Sequence, residues 1–143
     1  MVSLPYDPGV IPSKPAPSPG ETITIKVEGL PPYKDISRSI RNINHPRYDA
    51  FVALRKAATV AMDGRACYMG AVAFDLVVYG PELHKGRNIS DYAAGVEDTI
   101  DGSSGGTFTY LPIVIQDDCQ VVSWSMRYAK AEEARYRLLV KFL

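Results

Sequence analysis

The sequence predicts an α+β fold, a small mixed β-sheet with two helices in the order β-α-β-α-β-β. Three observations carry this. Apolar residues alternate with period two at 22–30 and again at 71–79, a helical pattern separates these runs, and two β-rich runs close the chain at 119–128 and 135–143. A chain of 143 residues holds one domain with a core and is too short for two ordinary ones.

Taken in order, residues 1–21 hold six of the eleven prolines. Proline fixes φ and removes a backbone donor, so a flexible, partly extended tail is expected ahead of a domain at 22–143. TITIKVEGL reads as a strand with Ile23, Ile25 and Val27 on one face, and PPYKD ends it in a basic loop. Pro46 suits a first helical position, and Phe51, Leu54, Ala58 and Ala61 or Met62 form the apolar side of a helix that stops at Gly64. AVAFDLVVY is a second strand facing inward through Val72, Phe74, Leu76 and Val78, and GPELHKG breaks it. A shorter helix follows, capped by Ser90, closing at Gly102 and turning Tyr92, Val96 and Ile100 to the sheet. Pro112 interrupts FTYLPIVI, which reads as a loop or short edge strand. The last two runs, joined by a turn at Ala131 to Ala134, read as a closing hairpin.

Composition narrows the function classes. No apolar run reaches the roughly 18 residues of a membrane span, and no basic start precedes an apolar stretch, so neither a membrane segment nor a secretory signal is expected. Cys67 and Cys119 lack metal-type spacing and read as reduced thiols of a cytoplasmic protein. No Walker loop, dinucleotide glycine fingerprint or CxxC pair is present, and His45 and His84 read as loop or cap residues. Net charge is zero, yet segregated. Residues 34–56 carry six cations, residues 88–126 carry six acids and no Lys or Arg, and residues 127–143 carry five cations. That pattern suits a polyanion gripped by basic flanks over an acidic, metal-binding centre; ordinary surface charge, mixed by folding, is the alternative.

Two acidic groups supply candidates. On a helix Asp91 and Asp98, seven residues apart, point within about 20° of one another, and Asp101 continues the row. The same pattern describes a solvated helix face, and Asp91 in a first turn also complements the helix dipole. Asp117 and Asp118 stand immediately before a strand, where they can ligate a hard cation at the sheet's lip or simply form a turn.

Read together, the loop GLPPYKD, the helix ending EDTIDG and the strand entry DDCQVV resemble the RusA family of Holliday-junction resolvases, over Thr22 to Leu143. The resemblance implies a homodimer that cuts branched DNA with Mg²⁺ (or Mn²⁺). It places a catalytic acid of the family on Asp118. Two further family acids fall on Asn88 and Ser90, and the family's lysine falls on Ala94, so three expected groups are substituted. A shifted centre is then expected, with Asp91 and Asp118 as metal ligands and Asp117 or Asp98 in support. Lys34, Arg38, Arg41 and Arg87 are the expected DNA contacts. The alternative is a catalytically degenerate relative that binds branched DNA, or serves as an assembly module, without cutting.

Overall fold

In the computed structural model the described residues are 12–33, 45–101 and 111–143. The elements are β1 (Thr22–Glu28), α1 (Tyr48–Met62), β2 (Val72–Gly80), α2 (Tyr92–Ile100), β3 (Val121–Lys130) and β4 (Arg135–Phe142), with short 3-10 turns at Ile89–Asp91 and Asp118–Gln120. The α+β class and the order β-α-β-α-β-β are those read from the sequence. The four strands form one mixed sheet in the order β1-β4-β2-β3. β4 runs antiparallel to β1 and β2, and β3 runs parallel to β2.

Period-two burial holds on the three inner-facing strands. Ile23 and Ile25, then Val72, Phe74, Leu76 and Val78, then Tyr136, Leu138, Val140 and Phe142 form one core. Leu54, Ala58 and Met62 of α1 and Tyr92, Val96 and Ile100 of α2 join that cluster, so both helices cover the same face. Full burial of side chains of this kind is worth about 2 kcal/mol each. The helix α1 stops where expected, since Asp63 (φ 50°) and Gly64 (φ 78°) enter left-handed backbone.

Two features inside the helical layer were not visible in apolar periodicity. Arg55 lies on the buried side of α1 and is fully enclosed. Its guanidinium donates to the Thr99 carbonyl at 2.9 Å and to the Leu111 carbonyl at 2.8 Å, which ties α1 to the C-terminal end of α2. Gly95, in the middle of α2, is packed directly on backbone. A Cβ there would stand 2.3 Å from the Pro32 carbonyl oxygen and 2.7 Å from the Tyr33 Cα. Only glycine permits that approach.

Two expectations are corrected, and a third is refined. The closing hairpin does not form: β2 lies between β3 and β4, and the link at 131–134 steps over its end. There the Ala131 N–H and the Tyr128 hydroxyl both donate to the Gly80 carbonyl. The inward-facing runs of β2 and β4 explain this, because both strands are fully flanked only in the sheet's interior. Residues 12–20 are docked rather than free. Ser13 and Lys14 N–H groups donate to the Gly64 carbonyl, the Ala66 N–H donates to the Lys14 carbonyl, and the Gly20 N–H donates to the Phe142 carbonyl. The donors left between the prolines suffice. Residues 113–115 form a loop, as read from the sequence, with a single bridge from Ile115 to Tyr68. They are buried, with Ile113 and Val114 N–H groups donating to the Ile100 carbonyl and Val114 accepting from Tyr68 N–H.

Candidate metal centre

Because β2 and β3 are parallel, the chain between them must run back along the sheet. That return, made by α2, delivers the helix's C-terminal end to the start of β3. Three carboxylates meet there. Asp98 on the last turn of α2, Asp101 at its C-cap and Asp118 in the turn before β3 each offer an oxygen within 4.8 Å of the others. Asp118 is exposed, Asp98 half-buried and Asp101 only 6 % exposed.

The group could hold a metal ion, and its donor chemistry fits a hard cation. All three ligands are anionic oxygens. Around Mg²⁺ neighbouring ligand oxygens stand about 3 Å apart and opposite ones about 4.2 Å, so three oxygens within 4.8 Å of one another close onto such an ion by side-chain rotation. Position adds to the argument. A helix C-terminus carries partial negative charge, so carboxylates gathered there are set against the dipole and a bound cation relieves both.

Each carboxylate is positioned by identifiable contacts. Asp101 leaves the helix in an extended conformation (φ −88°, ψ −178°) while its N–H still donates to the Glu97 carbonyl. The Thr99 carbonyl two residues earlier is held by Arg55. The Trp124 indole N–H donates to the Glu97 carboxylate, which fixes this turn of α2 against β3. The Asp118 turn is held by Gln120. Its Oε1 accepts from the N–H groups of Gln116 and Asp117, at 2.8 and 3.0 Å. Its Nε2 donates to the carbonyls of Tyr68 and Gly70, at 2.7 and 2.8 Å.

The structure therefore brings together three of the five acids named from the sequence, Asp98, Asp101 and Asp118, although Asp101 stood outside the expected centre. It places the other two elsewhere. Asp117 caps its own turn, accepting from the Cys119 N–H at 2.9 Å; this hydrogen bond lowers its pKa, while the Asp117 carboxylate raises that of the Cys119 thiol. The Asp91 carboxylate accepts from the Asn88 N–H at 2.8 Å. In return Asn88, rather than Ser90, caps the turn: its side-chain oxygen accepts from the Ser90 N–H at 3.0 Å and from the Ser90 hydroxyl. Asp91 lies seven residues before Asp98, about 10 Å along the axis, and is not in the three-carboxylate group. Asn88 and Ser90 sit at that far end as well, and Ala94 is exposed one turn on.

Signals for the missed features exist in the sequence. Asn88-x-x-Asp91 and Asp117-x-x-Gln120 both have capping-box spacing, and both boxes are formed. Each box occupies the acid that opens or closes it. The acids outside the boxes, Asp98, Asp101 and Asp118, make the cluster.

At the opposite end of α2 the chemistry reverses. Arg87 lies over the Tyr33 ring at 4.4 Å and Arg47 over the same ring at 5.8 Å. His84 meets the Tyr92 hydroxyl through Nδ1 and Arg47 through Nε2. Burial, then the Arg47 and Arg87 charges, hold the His84 pKa below its ordinary value. Of the expected DNA contacts Arg87 is therefore placed at this cationic end, while Lys34, Arg38 and Arg41 lie outside the described residues. Among the described residues no helix is long and apolar enough to cross a membrane. In comparison with known proteins, no family model matches the chain and no curated protein matches it.

Proposed function

We propose that the chain is a RusA-like, metal-dependent endonuclease for branched DNA such as Holliday junctions, acting as a homodimer through a centre of Asp98, Asp101 and Asp118. One observation carries this reading. DDCQVV, the most specific segment of the resemblance, and the helix ending EDTIDG are the ones whose carboxylates converge. Asp118 is exposed and Asp98 half-buried, so a phosphodiester has access from solvent, while buried Asp101 anchors the ligand set. Mg²⁺ or Mn²⁺, when bound, supplies Lewis-acid polarisation of the phosphodiester and an acidified water. Gln120 and Arg55 hold the two backbone segments at the spacing that lets the carboxylates act together.

A second reading is favoured by Asn88, Ser90 and Ala94, which leave the family's positions without acids or lysine. In that reading the chain binds branched DNA without cutting it. Cleavage of a synthetic four-way junction with Mg²⁺ and Mn²⁺, for the wild type, Asp118→Asn and Asp101→Asn, separates the two. Metal-dependent product reduced at least about 100-fold by either substitution supports the nuclease. Junction binding with no product under any metal supports the second reading. Product that survives both substitutions rejects this centre.

A further inference from the structure

The helices leave the opposite face of the sheet open, and its side chains follow from the strand register. One row crosses all four strands as Lys26, Arg137, Val77 and Arg127. Neighbouring strands are about 4.8 Å apart, so this row spans roughly 14 Å. The row on one side places Arg135 between Glu28 and Tyr79, and Lys141 lies further toward the start of β3, beside Thr22 and Ala73. Five cations thus share a face with two carboxylates, Glu28 and Asp75, in a chain of zero net charge.

These cations are available. Lys26, Arg127, Arg135 and Lys141 are exposed, and among the described residues none of the five forms an ion pair. The Arg137 Nε is buried and has no hydrogen-bond partner among the described residues. Arg135 stacks on the Tyr79 ring at 4.2 Å, beside a depression of ≈ 360 Å³ that Lys26, Glu28 and Arg137 also line. The apolar residue at the centre of the cationic row, Val77, is buried, and the remaining exposed positions include Thr22, Thr24, Ser123 and Ser125. A protein-binding surface presents an apolar core inside a polar rim. Here the half-buried Tyr79 and Leu139 of the central strands are bordered by cations and hydroxyls, which are the donors that contact phosphate oxygens.

We infer that the open sheet face is a docking surface for the sugar-phosphate backbone of DNA, distinct from the metal centre; this rests on the DNA reading proposed above. β3 is an edge strand and begins immediately after the Asp118 turn. Arg127 lies about 20 Å along β3 from its first residue, so a DNA arm running from the cationic row along the face past Lys141 reaches the end of the sheet where Asp118 stands. The face thus holds an arm of the junction while the carboxylates act on the strand that leaves it.

The test is fluorescence anisotropy of a labelled four-way junction in EDTA, so that the metal centre is silent. Arg127→Gln/Arg137→Gln is compared with the charge-matched pair Lys14→Gln/Lys85→Gln, which lies off this face, and circular dichroism checks folding. The face variant is expected to lose at least tenfold in affinity, with the log K against log salt slope shallower by about 2. The control is expected to change less than twofold. If Arg137→Gln does not fold, Lys26→Gln/Arg127→Gln replaces it with the same expectation. Wild-type affinity in the folded face variant, or an equal loss in the control, overturns the assignment. Competition by polyglutamate as effective as unlabelled junction at equal charge also overturns it, in favour of an acidic protein partner. Asp118→Asn must bind the junction at least as tightly as wild type. Binding that depends on the face while cleavage is absent removes the nuclease reading alone.

Discussion

The two ends of α2 are opposites. The N-terminal end gathers Arg47, Arg87 and His84 around Tyr33, and the C-terminal end gathers Asp98, Asp101 and Asp118. A helix tuned for stability places acids first and cations last, because its dipole is positive at the N-terminus. Here the groups are reversed at both ends. Each end has one local correction: Asp91 in the opening capping box, and Arg55 reaching the Thr99 carbonyl from α1. Charges held against a dipole by neighbouring packing are a mark of sites where binding, rather than stability, sets the arrangement. A nine-residue helix therefore separates an anion-attracting end from a cation-attracting one.

The strongest way to break this contrast is to move the helix. Gly95→Ala should favour α2 by about 1 kcal/mol on helix propensity alone. The contact with Pro32 and Tyr33 predicts the reverse, a net loss of about 3 kcal/mol in chemical denaturation. A stabilised variant would mean the helix does not rest on residues 32–33.

Next in size is Gln120→Ala. It removes four hydrogen bonds that hold the Asp118 turn on residues 68–70, a cost of about 2 kcal/mol. The consequence specific to the acidic end is a Mn²⁺ affinity lowered about tenfold, read by titration calorimetry. Unchanged affinity would show that Asp118 is not positioned through Gln120.

The smallest effect belongs to the cationic end and is a pH dependence. The His84 pKa is lowered in the folded chain, so unfolded chains take up the proton first as pH falls below about 6.5. Folded stability is then fully present above that pH and is lost as pH falls toward the lower folded value. His84→Gln should flatten this part of the stability profile, measured by urea denaturation between pH 7.5 and 5. A profile parallel to wild type would place the titration elsewhere.

How much of this could be read from residues alone follows from what is periodic. Ile23, Ile25, Phe74 and Leu138 announce their strands by alternation, and Phe51, Leu54 and Ala58 announce α1 by helical spacing. Strand neighbours are not periodic information, so the insertion of β2 between β3 and β4 was invisible. At the site, Asp98 and Asp118 were legible as acids near the end of a helix and the start of a strand. Asp101 was legible only as a third member of a helical row, because its part in the cluster depends on leaving the helix. Asp91 and Asp117 look like equal candidates until their capping partners, three residues away in each case, are counted.

The place of β4 has a consequence for how the chain reaches this state. Among the described residues β1 and β2 do not pair with each other; each pairs with β4, a strand that follows both in the chain. Until residues 135–142 insert between them, two apolar strands stand with open edges, the condition in which nascent chains associate wrongly. Residues 142–143 close several seams at once: Phe142 N–H donates to the Glu21 carbonyl, Leu143 N–H to the Ala71 carbonyl, and Tyr68 hydroxyl to the Leu143 carbonyl. The sheet therefore has high contact order, with β4 as the strand whose long-range pairing joins β1 to β2.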